Sequence, residues 1–235
     1  MQHPKINKNN GSNTIPIAII IAGLLIAGAI YLRPEKAEKN AKNDRLQTAG
    51  VKIKQIDEDD DPTLGNPAAF VTFVYFGDYR CQYCARFQSE IKPTIMEKYV
   101  KTGKIKYVYR DLITMGENSI LTAEAANCAG DQDKYWEFAN YLHDKAAIGG
   151  DHAHGSVYTT DDLLGIASSL ELNVPLFKEC LLSEKHKAEI EKDTKDASAN
   201  GATGTPAVFI NGRLIDGLNP LEEYERIINE ELLKK

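Results

Sequence analysis

The chain has 235 residues, of which 43% are hydrophobic, and its formal net charge is −6. This length is enough for one domain with a proper core and for additional segments outside it. The acidic balance excludes the basic surface with which proteins bind nucleic acid, so nucleic acid is not an expected partner. The 4 cysteines are an even number, which fits an oxidising compartment where disulfides persist.

An apolar stretch lies near the N-terminus, after a short tail of residues 1–14. Residues 15–32 carry no charge and are long enough to cross the hydrocarbon core of a bilayer, which predicts a transmembrane anchor or a signal segment. Ala27-Gly28-Ala29 resembles a signal-peptidase site, so cleavage is the alternative. The anchor is favoured because the apolar run continues to Leu32. We therefore expect a single-pass protein of the bacterial cell membrane whose remaining chain is extracytoplasmic.

Residues 33–66 are rich in charge and are predicted to be a linker between the membrane and the folded domain. Within the linker, residues 51–56 alternate between apolar and polar side chains, which indicates a possible edge strand. Residues 57–61 form an acidic run that lacks the glycine and the terminal glutamate of an EF-hand calcium loop. We expect a solvated acidic turn that ends at Pro62.

Residues 67–235 are predicted to form the folded domain. Residues 68–76 are rich in Val and Phe and predict a buried strand, and residues 84–101 have apolar spacing suited to a helix that Pro93 interrupts. Residues 105–110 alternate as a second strand. The sequence therefore predicts one strand-helix-strand unit with a right-handed crossover.

Residues 113–200 are predicted to be entirely helical, and the strand pattern returns only after them. Asn211-Gly212 separates the β-type runs Ala207–Ile210 and 213–215, a strong signal for a hairpin with a type I′ turn. A last amphipathic helix is expected over residues 219–233. This order is that of an α/β thioredoxin fold with an all-helical insertion, here preceded by an N-terminal transmembrane helix.

The most informative motif is Cys81-Gln82-Tyr83-Cys84, between the buried strand and the helix that follows it. Two thiols at a helix entrance can close a small disulfide, and the helix dipole favours a thiolate at the first of them. Zinc binding is the alternative, but Cys128 and Cys180 are single and far apart and supply no second ligand pair. A purely structural disulfide explains the placement less well. We therefore expect a redox site with no metal and no cofactor.

Three motifs in chain order resemble the DsbA-like thiol-disulfide oxidoreductases of the thioredoxin superfamily. They are FGDYRCQYCARF at residues 76–87, AANCA at residues 125–129 and GTPAVFING at residues 204–212. The resemblance covers most of residues 67–235. It implies a thioredoxin domain with a helical insert that acts on protein dithiols or disulfides outside the cytoplasm.

The resemblance also implies roles for individual residues. Cys81 is expected to be the nucleophile, and Cys84 the cysteine that resolves the mixed disulfide. Pro206 is expected to be cis and to face the redox pair, which leaves the backbone of Thr205 free to pair with an extended substrate.

The chain departs from the pattern of its relatives at two positions. Gln82 stands where Pro is common, and the two residues between the cysteines, Gln82 and Tyr83, tune the redox potential in this fold. Tyr75 stands where many relatives have an acidic residue that assists proton movement. The proton role is thereby left to Asp78, to water or to no group, and Asp78 has the alternative role of satisfying backbone groups at the helix entrance.

Cys128 and Cys180 both fall in the helical insert. In an oxidising compartment we expect them to form a structural disulfide that closes a long loop. Two buried free cysteines are the alternative, and a second redox relay is a third reading.

The sequence thus predicts an enzyme, a monomer, that oxidises the dithiols of exported proteins through Cys81 and Cys84. A membrane redox partner, DsbB-like or VKOR-like, would reoxidise it. The alternatives are a disulfide reductase or isomerase, and a membrane-tethered chaperone or binding module whose cysteines only staple the fold. Related isomerases usually carry a separate dimerisation domain, for which the segment before Pro67 is too short.

Overall fold

The computed structural model describes residues 61–148 and 157–234. The predicted tail, the apolar segment 15–32 and most of the predicted linker lie outside these ranges. Among the helices within them, none combines the length and apolarity needed to cross a membrane.

A mixed sheet organises the described part of the chain, with strand order β1-β3-β2-β4-β5. The central strand β2 pairs in parallel with β3 and antiparallel with β4, and β1 and β5 form antiparallel edges. The strands are β1 (Thr63–Gly65), β2 (Val71–Gly77), β3 (Ile105–Asp111), β4 (Ala207–Ile210) and β5 (Arg213–Asp216). Because β2 has a neighbour on each side and is covered on both faces, its sequence is a nearly continuous apolar run.

The helical connection from β2 to β3 confirms the predicted strand-helix-strand unit. It consists of α1 (Gln82–Arg86), the wider π turns Phe87–Ile91, α2 (Lys92–Ile95) and the π turns Met96–Val100. Pro93 has no N–H to continue the α-helical ladder, and the π turns lie immediately before and after its segment. The predicted helix is therefore present, and π turns on both sides of the segment that contains Pro93 interrupt its α-helical hydrogen bonding.

The helical insert lies between β3 and β4, as expected. Its helices within the described ranges are α3 (Glu117–Gly130), α4 (Tyr135–Ile148), α5 (Thr160–Ser169), α6 (Val174–Leu182) and α7 (Lys187–Ala199). Two of these helices begin at residue types that commonly cap helix N-termini. Thr159 and Asp162 form a capping box at the start of α5, and the Asn173 side chain accepts a hydrogen bond from Leu176 N at the start of α6.

The predicted hairpin is also present. Asn211 and Gly212 both have positive φ, 44° and 83°, as a type I′ turn requires. The Asn211 side chain accepts a hydrogen bond from Thr72 N at 2.9 Å, which ties the hairpin to the start of β2. The last helix, α8 (Leu221–Leu232), buries Tyr224 against the aromatic rings of Phe73 and Phe87.

The segment before β2 differs from its prediction. The edge strand that the structure shows is β1, further along the chain than residues 51–56, which lie outside the described ranges. The expectation of a solvated acidic turn is wrong at Asp61, whose side chain is only 3% exposed and forms an ion pair with Arg110. A buried cation from a distant strand explains why this carboxylate is not at the surface.

Arg110 is a buried cation at the end of β3 that joins the sheet to the insert. Its side chain is fully buried, and Nε lies 3.0 Å from Asp61 Oδ2. On α7, Nη2 contacts Asp193 and lies 3.1 Å from Asp196 Oδ2, and Glu189 lies slightly farther away. Removal of the guanidinium would leave several carboxylates without their counter-charge.

We expect Arg110→Met to lower the free energy of unfolding by about 3–5 kcal/mol, because it removes one partner from a buried ionic cluster. Urea unfolding followed by circular dichroism measures the effect. Arg226→Met is the matched control, since Arg226 pairs with Glu223 and Glu230 on the exposed face of α8 and should change stability little. Equal effects of the two substitutions would contradict this account of Arg110.

Candidate active site

The two cysteines of the CxxC motif lie where β2 has ended and α1 begins. Cys81 is the N-cap residue of α1, with φ −79° and ψ 119°, and Cys84 lies within the first turn. Cys81 N donates to Asp78 O at 3.0 Å, which fixes the turn into the helix. Both cysteines are free thiols; Cys84 is fully buried and Cys81 is 4% exposed.

The segment before β4 forms the opposite wall of the site. The Thr205–Pro206 peptide bond is cis, as the resemblance implied. Cys81 Sγ lies 3.4 Å from the carbonyl oxygen of Thr205. Pairing between β2 and β4 places Ala207 opposite Phe76, so the residues just before β4 necessarily lie beside the helix entrance.

The surroundings of Cys81 favour its thiolate and lower its pKa to about 6. The largest cause is a hydrogen bond from the Cys84 thiol; the Thr205 side chain and the backbone N–H groups of Cys84 and Tyr83 add to it, and burial opposes them. A thiol with such a pKa is largely ionised at neutral pH. Of the two thiols, Cys81 is the one whose surroundings favour the thiolate, which is the nucleophilic form of a cysteine.

Cys84 behaves in the opposite way. Burial raises the pKa of the Cys84 thiol well above its usual range, and the hydrogen bond to Cys81 and the negative charge there raise it further. In the reduced protein Cys84 is thus a protonated donor to the Cys81 thiolate. Such a pair can form a disulfide when a partner disulfide accepts its two electrons, and the disulfide opens again when a partner dithiol returns them.

Asp78 has a structural place at the helix entrance. One carboxylate oxygen accepts a hydrogen bond from Arg80 N at 2.9 Å. The other accepts from Thr114 N at 2.9 Å, from the Thr114 hydroxyl and from Met115 N. The Thr114 hydroxyl also lies 3.2 Å from that of Thr205, so a short series of polar groups connects Asp78 to the wall beside Cys81. This arrangement fits the backbone-satisfying role, and none of these bonds reaches Cys84.

The remaining residues of the motif face outward. Gln82 is exposed, and Tyr83 is 49% exposed.

Two residues behind Cys84 were not predicted to interact with it: Gln88, which the sequence did not single out, and Tyr75, which it identified only as a departure from the acidic residue of many relatives. The Tyr75 hydroxyl on β2 interacts with the Cys84 side chain and with Gln88. Gln88 follows Cys84 by four residues on a helix, a spacing that puts both on one face and could have indicated it. The position of Tyr75 could not be read in the same way, because it depends on how the helix packs on the sheet.

The insert contains the disulfide between Cys128 on α3 and Cys180 on α6, with a Cα–Cα distance of 5.8 Å. It closes a loop of 52 residues and joins two helices of the insert. His186 lies close to both sulfur atoms, but disulfide sulfurs are not thiolates and do not form a metal site with it.

A second group of possible metal ligands already surrounds a cationic side chain. Oxygens of Asp61, Glu189 and Asp193 lie within 4.8 Å of one another. The Arg110 guanidinium contacts all three residues and supplies the positive charge that a cation would otherwise bring.

Comparison with known proteins agrees with this geometry. A family model described as thioredoxin matches residues 57–230. Disulfide bond formation protein D of Bacillus subtilis is 29% identical over 178 residues, a match that covers 74% of this chain and 78% of the relative. The crystal structure of oxidised BdbD from Bacillus subtilis is similar with a TM-score of 0.67 at 29% identity, covering 74% of this chain and 93% of that one.

A third relative is much longer than this chain. The Na(+)/H(+) antiporter NhaA 1 of Salinispora arenicola is 33% identical over 169 residues, or 71% of this chain, but the match spans only 24% of the antiporter. This chain therefore corresponds to only a minor part of that relative. The chain belongs to the thioredoxin family and is a DsbA-like thiol-disulfide oxidoreductase.

Proposed function

We propose that the chain works in the oxidising direction and donates the Cys81–Cys84 disulfide to dithiols of exported proteins. The observation that carries the proposal is the opposite shift of the two thiol pKa values, lowered to about 6 at Cys81 and raised at Cys84. A stabilised thiolate lowers the free energy of the reduced form relative to the disulfide. The disulfide is then the stronger oxidant.

Each electron transfer in the proposed reaction is a thiol-disulfide exchange. A substrate thiolate attacks the Cys81 sulfur of the disulfide, a substrate–Cys81 bond forms, and Cys84 leaves as a thiolate that takes up a proton. A second substrate thiolate attacks the substrate sulfur of the mixed disulfide, and Cys81 leaves as a thiolate. The substrate loses two electrons and the cysteine pair gains them. Thr205 and Pro206 would hold the substrate backbone beside Cys81, with Gln82 and Tyr83 at the rim.

The proposed location is the outer side of a bacterial cell membrane. Residues 15–32 would anchor the chain and residues 33–66 would tether the domain, which would act as a monomer. A DsbB-like or VKOR-like membrane protein would reoxidise the pair. The Cys128–Cys180 disulfide supports an oxidising compartment, since such bonds persist there.

Equilibration with glutathione distinguishes oxidase from reductase. We expect the Cys81–Cys84 disulfide to be reduced at a low ratio of reduced to oxidised glutathione, because the reduced form contains a stabilised thiolate. Alkylation and mass spectrometry measure the redox state, and the Cys128→Ala/Cys180→Ala variant assigns the signal to the active-site pair. A strongly reducing potential would favour the reductase alternative, which Gln82 in place of Pro leaves open.

A trapping experiment tests catalysis on proteins. We expect Cys84→Ala to accumulate mixed disulfides between Cys81 and exported proteins, because the resolving thiol is missing. Non-reducing gels of cells that express the variant show the adducts. Cys81→Ala is the control and should form none. If Cys84→Ala also forms none, the non-catalytic tether is the better interpretation.

The low pKa of Cys81 also predicts how stability depends on pH. Its stabilising effect on the reduced protein is present above the pKa of an unfolded cysteine, roughly 8.5. It is lost as the pH falls through about 6, the pKa in the folded protein. The free energy of unfolding of the reduced protein should therefore increase, relative to that of the oxidised protein, as the pH rises from about 6 to roughly 8.5. Thermal unfolding of both forms across this range measures the difference, and a constant difference would contradict a lowered pKa.

A further inference from the structure

A group of polar side chains lies buried behind Cys84, and the mechanism above does not use it. Its members are Tyr75 on β2, Gln88 one turn after Cys84, and Tyr107 on β3; we call it the Tyr75 cluster. Tyr75 and Tyr107 are fully buried, and their ring centroids are 6.2 Å apart. Phe87 covers the Tyr75 ring, with 4.6 Å between centroids.

The polar atoms of the cluster are buried and have unused hydrogen-bonding capacity. The hydroxyls of both tyrosines and both polar atoms of the Gln88 amide are buried, and among the described residues none of them makes a hydrogen bond of full geometry. Burial and then the Cys84 sulfur raise the pKa of Tyr75, whereas the Gln88 side chain lowers the pKa of Tyr75 and of Tyr107, so the Tyr75 hydroxyl is electrostatically coupled to both Cys84 and Gln88.

The direction of each donor in this series is fixed by chemistry. A sulfur that becomes a thiolate is only an acceptor, so the Tyr75 hydroxyl must donate to it. The Tyr75 oxygen can in turn accept from the Gln88 amide N–H. Gln88 thereby orients the Tyr75 proton toward Cys84.

We propose that Tyr75, oriented by Gln88, is a side-chain hydrogen-bond donor that stabilises the Cys84 thiolate while the active-site disulfide opens and closes. The proposal rests on the thiol-disulfide activity of the Cys81 and Cys84 pair and adds a residue to it. Contacts that are loose with a neutral thiol tighten when the acceptor becomes charged. The donor therefore acts on the transient thiolate more than on the resting thiol.

The step that Tyr75 assists can be written in both directions. When a substrate thiolate attacks Cys81, the Cys81–Cys84 bond breaks and Cys84 leaves with the electron pair beside the Tyr75 donor. When Cys84 attacks the mixed disulfide, the Cys84–Cys81 bond forms, the Cys81–substrate bond breaks, and the proton of Cys84 is taken by the leaving substrate thiolate. No further reagent is required.

A tyrosine suits this position for an electrostatic reason. Burial raises the pKa of Tyr75 well above its usual range, so the phenol stays neutral and remains a donor at all working pH values. A carboxylate at the same place would put a second negative charge beside the Cys84 thiolate and disfavour it. Tyr75 therefore supports Cys84 without repelling it and without itself acting as a base.

Tyr75→Phe tests the proposal because it removes the hydroxyl and retains the ring. We expect reduction of the oxidised protein by dithiothreitol, and reoxidation by oxidised glutathione, each to slow by about threefold to tenfold, since thiolate stability enters the exchange rate. The equilibrium constant with glutathione should change by less than about twofold, because Cys84 is protonated in the resting reduced protein. In a Cys81→Ala background the pKa of Cys84 should rise, whereas the pKa of Cys81 in a Cys84→Ala background should not move.

Tyr109→Phe is the matched control. Tyr109 is a buried tyrosine on β3 whose ring centroid lies 5.4 Å from that of Tyr75, and its hydroxyl does not interact with Cys84. Unchanged rates in Tyr75→Phe, or equal slowing in both variants, would overturn the proposal.

Gln88→Met is a second variant in case Tyr75→Phe does not fold, because Gln88 is only partly buried. It should slow exchange in the same sense, and wild-type rates would again count against the proposal. These rates are independent of the potential that tests the oxidising direction. A reducing potential would overturn the proposed function and leave the role of Tyr75 intact.

Discussion

The register between β2 and β4 is the constraint on which the active site depends. Phe76 pairs with Ala207, so the residues that leave β2 and those that enter β4 meet at the same end of the sheet. This brings Thr205 to Cys81, 124 residues away in the sequence, within 3.4 Å. The insert, with five helices in its described residues, can lie between them because the sheet fixes both of its ends. A slip of one residue would turn the side chains of β4 to the other face and remove this contact.

The second consequence of this geometry is an asymmetry between two identical side chains. Cys81 has several hydrogen-bond donors around its sulfur, whereas burial dominates at Cys84 and the Tyr75 hydroxyl and the Asp78 backbone oppose it only in part. The same burial that keeps Cys84 protonated makes it a donor to Cys81. The two thiols therefore shift each other's pKa in opposite directions, and a change at either sulfur alters the pKa of both.

Features of the fold and of the site that depend on neighbouring residues could be predicted from the sequence, whereas those that depend on tertiary contacts could not. The hairpin at Asn211-Gly212 follows from its turn residues, and its position was predicted correctly. The short strand β1 has too few residues to show alternation, so it was not distinguished from the linker. The pairing of Asp61 with Arg110 is not local, and an acidic run is ordinarily solvated. The approach of Tyr75 to Cys84 depends on tertiary packing for the same reason.

The same physics explains why the two cysteine pairs of this chain have different tasks. A thiolate at Cys81 is stabilised by donors, so its disulfide opens readily. The sulfur of Cys180 instead lies 3.4 Å from the carboxylate of Asp131, and a thiolate there would be repelled even though Lys185 contacts that carboxylate as well. Opening this disulfide would also release a loop of 52 residues between two helices. Charge and chain connectivity both keep the Cys128–Cys180 bond closed while the active-site pair exchanges.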